Sequence, residues 1–172
     1  MSSTIVFRTT LETPLGSWMI AGTNQGLCFL AFDSDNAAES FARFVQRLGT
    51  DVQVSEARGE LDTAVRQLRE YAAGERHEFD LPLDLHGTEF ELAVWAELGR
   101  IPFGETRTYG DIARALGDAG ASRAVGGANG RNPLPVVVPC HRVVAANGLG
   151  GFSGGAGIKE RLLSHEGALL FG

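Results

Sequence analysis

The pattern of the chain changes once, near Leu81 to His86, and that change restricts the fold more than any other feature. Upstream, Ile5 to Thr10, Gly16 to Ala21 and Gly26 to Phe32 read as short strands, with Asn24-Gln25-Gly26 forming a tight turn, which predicts an antiparallel meander. Ala37 to Leu48 carries Phe41, Phe44, Val45 and Leu48 at helical spacing, and Leu61 to Tyr71 carries Leu61, Val65 and Leu68 likewise. Two amphipathic helices packed on the meander are expected. Downstream the signals are mostly helical, so we expect an α+β protein of two domains, residues 1–85 and 86–172.

Charge follows the same division. Residues 1–85 hold 7 basic and 13 acidic side chains, and residues 86–172 hold 8 of each. The overall charge of -6 argues against a nucleic-acid partner, because non-specific affinity for DNA comes from Lys and Arg neutralising phosphates. All the excess acid lies in the first part, however. Between Arg114 and Arg142 stand Arg114, Arg123, Arg131 and Arg142 against Asp118 alone, a pattern that predicts a local basic surface.

Met1 to Thr10 lacks a cationic start followed by an apolar core, and no run approaches the roughly 18 apolar residues of a membrane span, so a cytoplasmic protein without a membrane partner is expected. Cys28 and Cys140 form no C-x-x-C pair and are too few for a disulfide framework. His77 and His86 lack a partner set, and neither a metal nor another cofactor is expected.

In the second part Thr88 can cap a helix to about Leu98, with Phe90, Ala93, Val94 and Leu98 on one face and Gly99 and Pro102 ending it. Thr108 to Leu116 reads as a short helix stopped by Gly117; after Asp118-Ala119-Gly120 a second runs from Ala121 to about Asn129. This is helix-turn-helix geometry. The second helix has little bulk, since Ala121, Ser122, Ala124, Gly126, Gly127 and Ala128 surround one long residue, Arg123. Helical glycine is unfavourable by about 1 kcal/mol relative to Ala. Two explanations stand: tight helix packing, or entry into a groove only about 6 Å wide, the minor groove of B-DNA.

After Asn132-Pro133-Leu134-Pro135, the run Val136-Val137-Val138 reads as a buried strand leading into Pro139-Cys140-His141-Arg142-Val143-Val144. The polar pair His141-Arg142 is poor company for a core cysteine. His141 is a candidate base for the thiol, acting through a water or a turn because neighbours on an extended segment face opposite ways, and Glu166 can orient it. A Cys-His-acid relay fits acyl transfer, thiol redox chemistry and alkyl transfer equally well.

The ordered motifs go further. Pro139-Cys140-His141-Arg142-Val143-Val144, preceded by Arg123-Ala124-Val125-Gly126-Gly127-Ala128 and Asn132-Pro133, resembles the O6-alkylguanine-DNA alkyltransferases. The likeness runs through Phe103-Gly104-Glu105, Thr108-Tyr109-Gly110, Ser153-Gly154-Gly155, Lys159-Glu160 and His165-Glu166-Gly167, about Gly87 to Gly167. The first 85 residues are only loosely similar; there the resemblance implies a ribonuclease H-like sheet with helices.

The resemblance implies repair of alkylated double-stranded DNA, with Cys140 taking an alkyl group irreversibly from O6 of guanine, O4 of thymine being a further candidate. It implies a water-mediated relay of His141 and Glu166, Asn132 tying the recognition helix to the active-site turn, and Tyr109 donating to N3 and steering a phosphate. Arg123 would fill the space of a flipped nucleotide, with Ala121, Ser122, Ala124 and Gly126 as its DNA-facing neighbours. The carbonyls of Cys140 and Val143 would accept from the guanine amino group, and the N–H of Ser153 would reach O6. No obligate protein partner is implied. Two other readings remain: a lesion-binding module with Cys140 inert, and a cysteine hydrolase or thiol transferase acting on small molecules.

Overall fold

The computed structural model describes residues 3–33, 36–150 and 156–168. The chain divides into two compact units, Met1–His86 and Gly87–Gly172.

In the first unit, β1 (Thr4–Thr13), β2 (Gly16–Thr23) and β3 (Gly26–Phe32) form the expected meander, followed by α1 (Ala37–Leu48), β4 (Val52–Glu56) and α2 (Asp62–Ala72). The sheet order is β3-β2-β1-β4, with β4 parallel to β1 from Thr4↔Val52 to Arg8↔Glu56. The sheet is therefore mixed, not purely antiparallel. β4 goes beyond the expected meander: its alternation, Val52-Gln53-Val54-Ser55, spans only four residues, and in the sheet Val52 is half-buried while Gln53 to Glu56 are exposed. Backbone pairing to β1 holds it.

The core of this unit gathers Val6, Ala21, Cys28, Phe29, Phe41 and Phe44. Phe41 and Phe44, three apart on α1, bring their rings to within 5.4 and 5.0 Å of Phe29. Cys28 is wholly buried there, and burial with the nearby Asp84 charge pushes its thiol up to about 12. It is a core residue. The segment at Pro82 docks beside β3: Leu27 N donates to Pro82 O and Asp84 N to Leu27 O, at 2.9 and 2.8 Å. Gly26 is required at this crossing, since a Cβ there would lie 2.5 Å from Pro82 O and its φ is +148°.

The second unit contains α3 (Glu89–Leu98), β5 (Arg107–Thr108), α4 (Tyr109–Ala115), α5 (Ser122–Gly130), a 3-10 turn (Cys140–Arg142), β6 (Val143–Val144) and α6 (Ala156–His165). Thr88 and Thr108 each close a capping box, with Glu91 and Asp111 respectively, which fixes the starts of α3 and α4. Val125 and Ala128 form the buried face of α5, and Trp95 Nε1 donates to Ala128 O at 2.9 Å, joining α3 to α5. α4 and α5, separated by a turn containing Gly117, make the helix-turn-helix.

Val136 to Val138 is not the strand its β-branched residues suggest. Pro133, Pro135 and Pro139 remove donors from any ladder, and the chain instead folds into turns, with Val138 N donating to Leu134 O at 2.9 Å. Val136 adopts φ 76°, an unusual value for a β-branched residue, while 1% exposed. Cys140 thus begins a 3-10 turn, where successive side chains are about 120° apart and do not alternate between faces.

Candidate active site

Asn132 builds the turn that presents the thiol. Its Oδ1 accepts from Leu134 N at 3.0 Å and its Nδ2 donates to Val138 O at 2.8 Å, replacing the backbone bonds that prolines deny this segment. A second asparagine, Asn129 at the end of α5, reaches the carbonyl of Cys140 at 3.4 Å. The link between recognition helix and cysteine turn is therefore shared by Asn129 and Asn132.

Cys140 is 1% exposed. Burial pushes its thiol up to about 11, against the opposing pull of the Asn132 side chain and the Lys159 charge. The resting sulfur is a thiol, and attack requires its proton to leave.

His141 and Glu166 lie side by side, wholly buried, with Nε2 to Oε2 at 2.7 Å. Burial lowers the imidazole's proton affinity although Glu166 works to raise it. Burial alone would raise the Glu166 carboxyl, yet the bonds from His141 and Arg142 outweigh it and hold the group well below the carboxylate range. With Nε2–H donating to the carboxylate, Nδ1 is the acceptor, and it has no protein partner among the described residues.

Arg142 does not join a basic surface. Its Nε and Nη2 hold the two oxygens of Glu166 at 2.8 and 3.0 Å, its Nη1 donates to Ile101 O at 2.6 Å, and Phe103 covers it at 5.8 Å. Gly104 N adds a longer bond to Glu166 at 3.4 Å. Arg114 and Arg131 are also engaged, with Asp111 and Glu91. Of the four arginines, Arg123 alone is exposed with no ion-pair partner among the described residues. Arg142 is buried, and Arg114 and Arg131 stay exposed but paired with neighbouring carboxylates, so Arg123 is the one unpaired cation of the four among the described residues.

Arg123 stands in the first turn of α5 beside exposed Ala124, with Ala121, Ser122 and Gly126 half-buried. A Cβ at Gly126 would make an ordinary contact 3.9 Å from the Tyr109 ring, and one at Gly127 would meet only the tip of Arg131 at 3.1 Å. Internal packing therefore does not demand the two glycines, and the explanation by tight helix packing loses its ground. Tyr109 opens α4, half-buried, its ring between Gly126 and Gly150. A Cβ at Gly150, where φ is +75°, would fall 2.7 Å from the Tyr109 hydroxyl. Thr108, one residue earlier, pairs with Val144 in the short β5–β6 ladder that follows the cysteine turn.

Lys159, part of the Lys159-Glu160 motif but given no role there, belongs to the site. It is wholly buried, and its Nζ donates to Val143 O at 2.6 Å. Burial brings its ammonium down to about 8, partly offset by Cys140. The signal was present: Lys159, Leu162, Leu163 and Glu166 fall at helical spacing on one stripe, and all are buried. Ser153, expected to donate through its backbone, lies outside the described residues. Among the described residues no group of three or more His, Cys, Asp or Glu is placed to hold a metal, and no helix is long and apolar enough to cross a membrane.

Two family models match. The DNA binding domain of 6-O-methylguanine DNA methyltransferase matches residues 89–168, and the ribonuclease-like domain of the same family matches residues 6–85. The chain is 44% identical over 158 residues to the methylated-DNA–protein-cysteine methyltransferase of Methanosarcina acetivorans, covering 91% of this chain and 96% of that one. It is 54% identical to the Mycobacterium tuberculosis protein of the same name, again over 158 residues, covering 91% of this chain and 90% of that one. The crystal structure of Mycobacterium tuberculosis O6-methylguanine methyltransferase superposes with a TM-score of 0.81 at 42% identity, covering 94% of this chain and 93% of that one. The same protein in complex with DNA gives 0.78 at 41%, covering 95% and 92%. Matched along both units and by relatives of its own length, the chain belongs to the 6-O-methylguanine DNA methyltransferase family.

Proposed function

We propose that this protein repairs alkylated double-stranded DNA by direct reversal, moving the alkyl group from O6 of guanine to the sulfur of Cys140. The observation that carries this reading is the buried Cys140-His141-Glu166 arrangement, in which an ionised carboxylate fixes the imidazole with Nδ1 free to accept. The thiol proton passes to Nδ1, through a bridging water, as sulfur attacks the alkyl carbon. The C–O6 bond breaks in line, its electrons go to the guanine, and donation from Tyr109 to N3 stabilises the charge that develops there. A thioether remains. Nothing in the reaction restores the thiol, so each molecule acts once.

The division of labour follows the two domains: residues 1–85 as a ribonuclease-like partner domain, residues 86–172 as the part that binds DNA and carries the sulfur. α5 enters the minor groove with Ala121, Ser122, Ala124 and Gly126 at the contact, and Arg123 replaces the nucleotide flipped out of the stack, offsetting an unstacking cost of a few kcal/mol. The flipped guanine presents its amino group to the carbonyls of Cys140 and Val143, and its O6 to the N–H of Ser153. Nucleophile and base are both side chains of this chain, so the reading calls for no metal or cofactor. A substrate of alkylated DNA fits a cytoplasmic protein, and O4-alkylthymine is a second candidate substrate.

A second reading, lesion binding without transfer, is favoured by the burial of Cys140 and its raised thiol. Titrating the protein with duplex carrying one O6-methylguanine separates the two. Repair is expected to plateau at one lesion per molecule and to vanish in Cys140→Ala. Repeated turnover, or tight binding with every lesion intact, would contradict the proposal.

A further inference from the structure

The two carbonyls assigned to the guanine amino group each accept a hydrogen bond from a side chain that the proposed reaction does not use. Lys159 Nζ donates to Val143 O at 2.6 Å, and Asn129 Nδ2 to Cys140 O at 3.4 Å. Lys159 is the single lysine of the chain; its other fourteen basic residues are arginines. A compact ammonium suits a wholly buried site where a planar guanidinium fork needs more room and more acceptors. Burying an ammonium is costly unless it is bonded, so its place on the apolar stripe of α6 calls for a purpose.

We propose that Lys159 and Asn129 are positioning residues for recognition of the guanine 2-amino group. A carbonyl oxygen has two acceptor sites, so Val143 O can hold the ammonium and a base N–H together. The ammonium fixes the direction of the second site and polarises the carbonyl, which strengthens the bond it accepts from the base. Asn129 does the same more weakly for Cys140 O, because its bond is longer and its donor uncharged. The two grips come from α5 and α6, and together they set the spacing of the acceptors. This inference rests on the reading that those carbonyls accept from the amino group.

The test compares single-turnover transfer from O6-methylguanine and from O6-methylhypoxanthine, which lacks the 2-amino group, in the same duplex. Wild-type protein is expected to prefer the guanine. Lys159→Met also removes a charge that draws the Cys140 thiol down and so should slow both reactions, but it should slow the guanine reaction about tenfold more than the hypoxanthine reaction, the scale of one well-placed hydrogen bond. Lys159→Gln, which retains a donor, should recover part of the preference. If Lys159→Met does not fold, Asn129→Met asks the same question at Cys140 O and should lower the preference by a smaller factor. Equal slowing of both substrates in the folded variants would overturn the inference and leave the carbonyl reading intact. Absence of any preference in the wild-type protein would overturn the carbonyl reading itself, and the inference with it.

Discussion

Glu166 Oε2 lies 2.7 Å from His141 Nε2, and neither side chain is accessible to solvent. The same carboxylate is held through both oxygens by Arg142, at 2.8 and 3.0 Å. Its charge is thus balanced before the imidazole takes a proton. Burial lowers the His141 proton affinity, and in the proposed mechanism the imidazolium formed on accepting the thiol proton would meet an anion already in place.

Removing Arg142 should expose that balance. Arg142 works to lower the His141 proton affinity, so Arg142→Met is expected to raise it, read by NMR titration of the imidazole. Losing one partner of a buried pair should also cost about 3–5 kcal/mol of unfolding free energy, measured in denaturant. An unmoved His141 titration would show that Arg142 only fills space.

Acid should act through Glu166. Its folded pKa is depressed, so its stabilisation is present above the unfolded value of about 4.3 and is lost as pH falls through that value toward the folded one. Unfolding free energy is therefore expected to fall on acidification below about pH 4.5, and to fall less steeply in Glu166→Gln. Equal slopes in the two proteins would assign the acid sensitivity elsewhere.

The rate of transfer should be nearly flat from about pH 6.5 to 7.5, because the thiol proton moves to His141 inside the site and not to solvent, and should fall off above that as Lys159, brought down to about 8, loses its proton. Protonation of His141 should slow the reaction only below its ordinary 6.5, since burial lowers its proton affinity. A thiol pushed up to about 11 that ionised directly to solvent would instead give a tenfold rise per pH unit across that range. That profile would remove His141 from the mechanism.

On α5, Arg123→Ala should change stability by less than about 0.5 kcal/mol, since the side chain is exposed, while slowing repair in duplex more than transfer from a free modified base. Ala124→Leu, at an exposed position of the same helix, should likewise leave folding unaffected and weaken duplex binding if the helix enters a narrow groove. Unchanged duplex affinity in Ala124→Leu, measured by fluorescence anisotropy, would place α5 outside the groove.

Much of this was legible in the residues. Phe41 and Phe44 announced α1, Thr88 announced the start of α3, and the run from Ala121 to Ala128 announced an unusually slim helix. What could not be read depended on partners far along the chain. Arg142 looks like a surface cation until Glu166, 24 residues on, is brought against it. Val136 to Val138 looks like a strand because β-branched residues favour one, but Asn132 supplies the bonds that make it a turn. β4 offers only the brief alternation Val52-Gln53-Val54-Ser55, and such an exposed edge strand is held by its backbone pairing to β1. Lys159 was visible on a buried stripe, yet its partner is a main-chain carbonyl, which no residue type reveals.

Whether the sulfur of Cys140 keeps the alkyl group is tested most directly by intact mass followed by peptide mapping after mixing the protein with duplex containing one O6-methylguanine. One added methyl, located on Cys140 and absent from Cys140→Ala, is the expected result. Unchanged mass with the lesion tightly bound, or a methyl found on any other residue, would contradict the account.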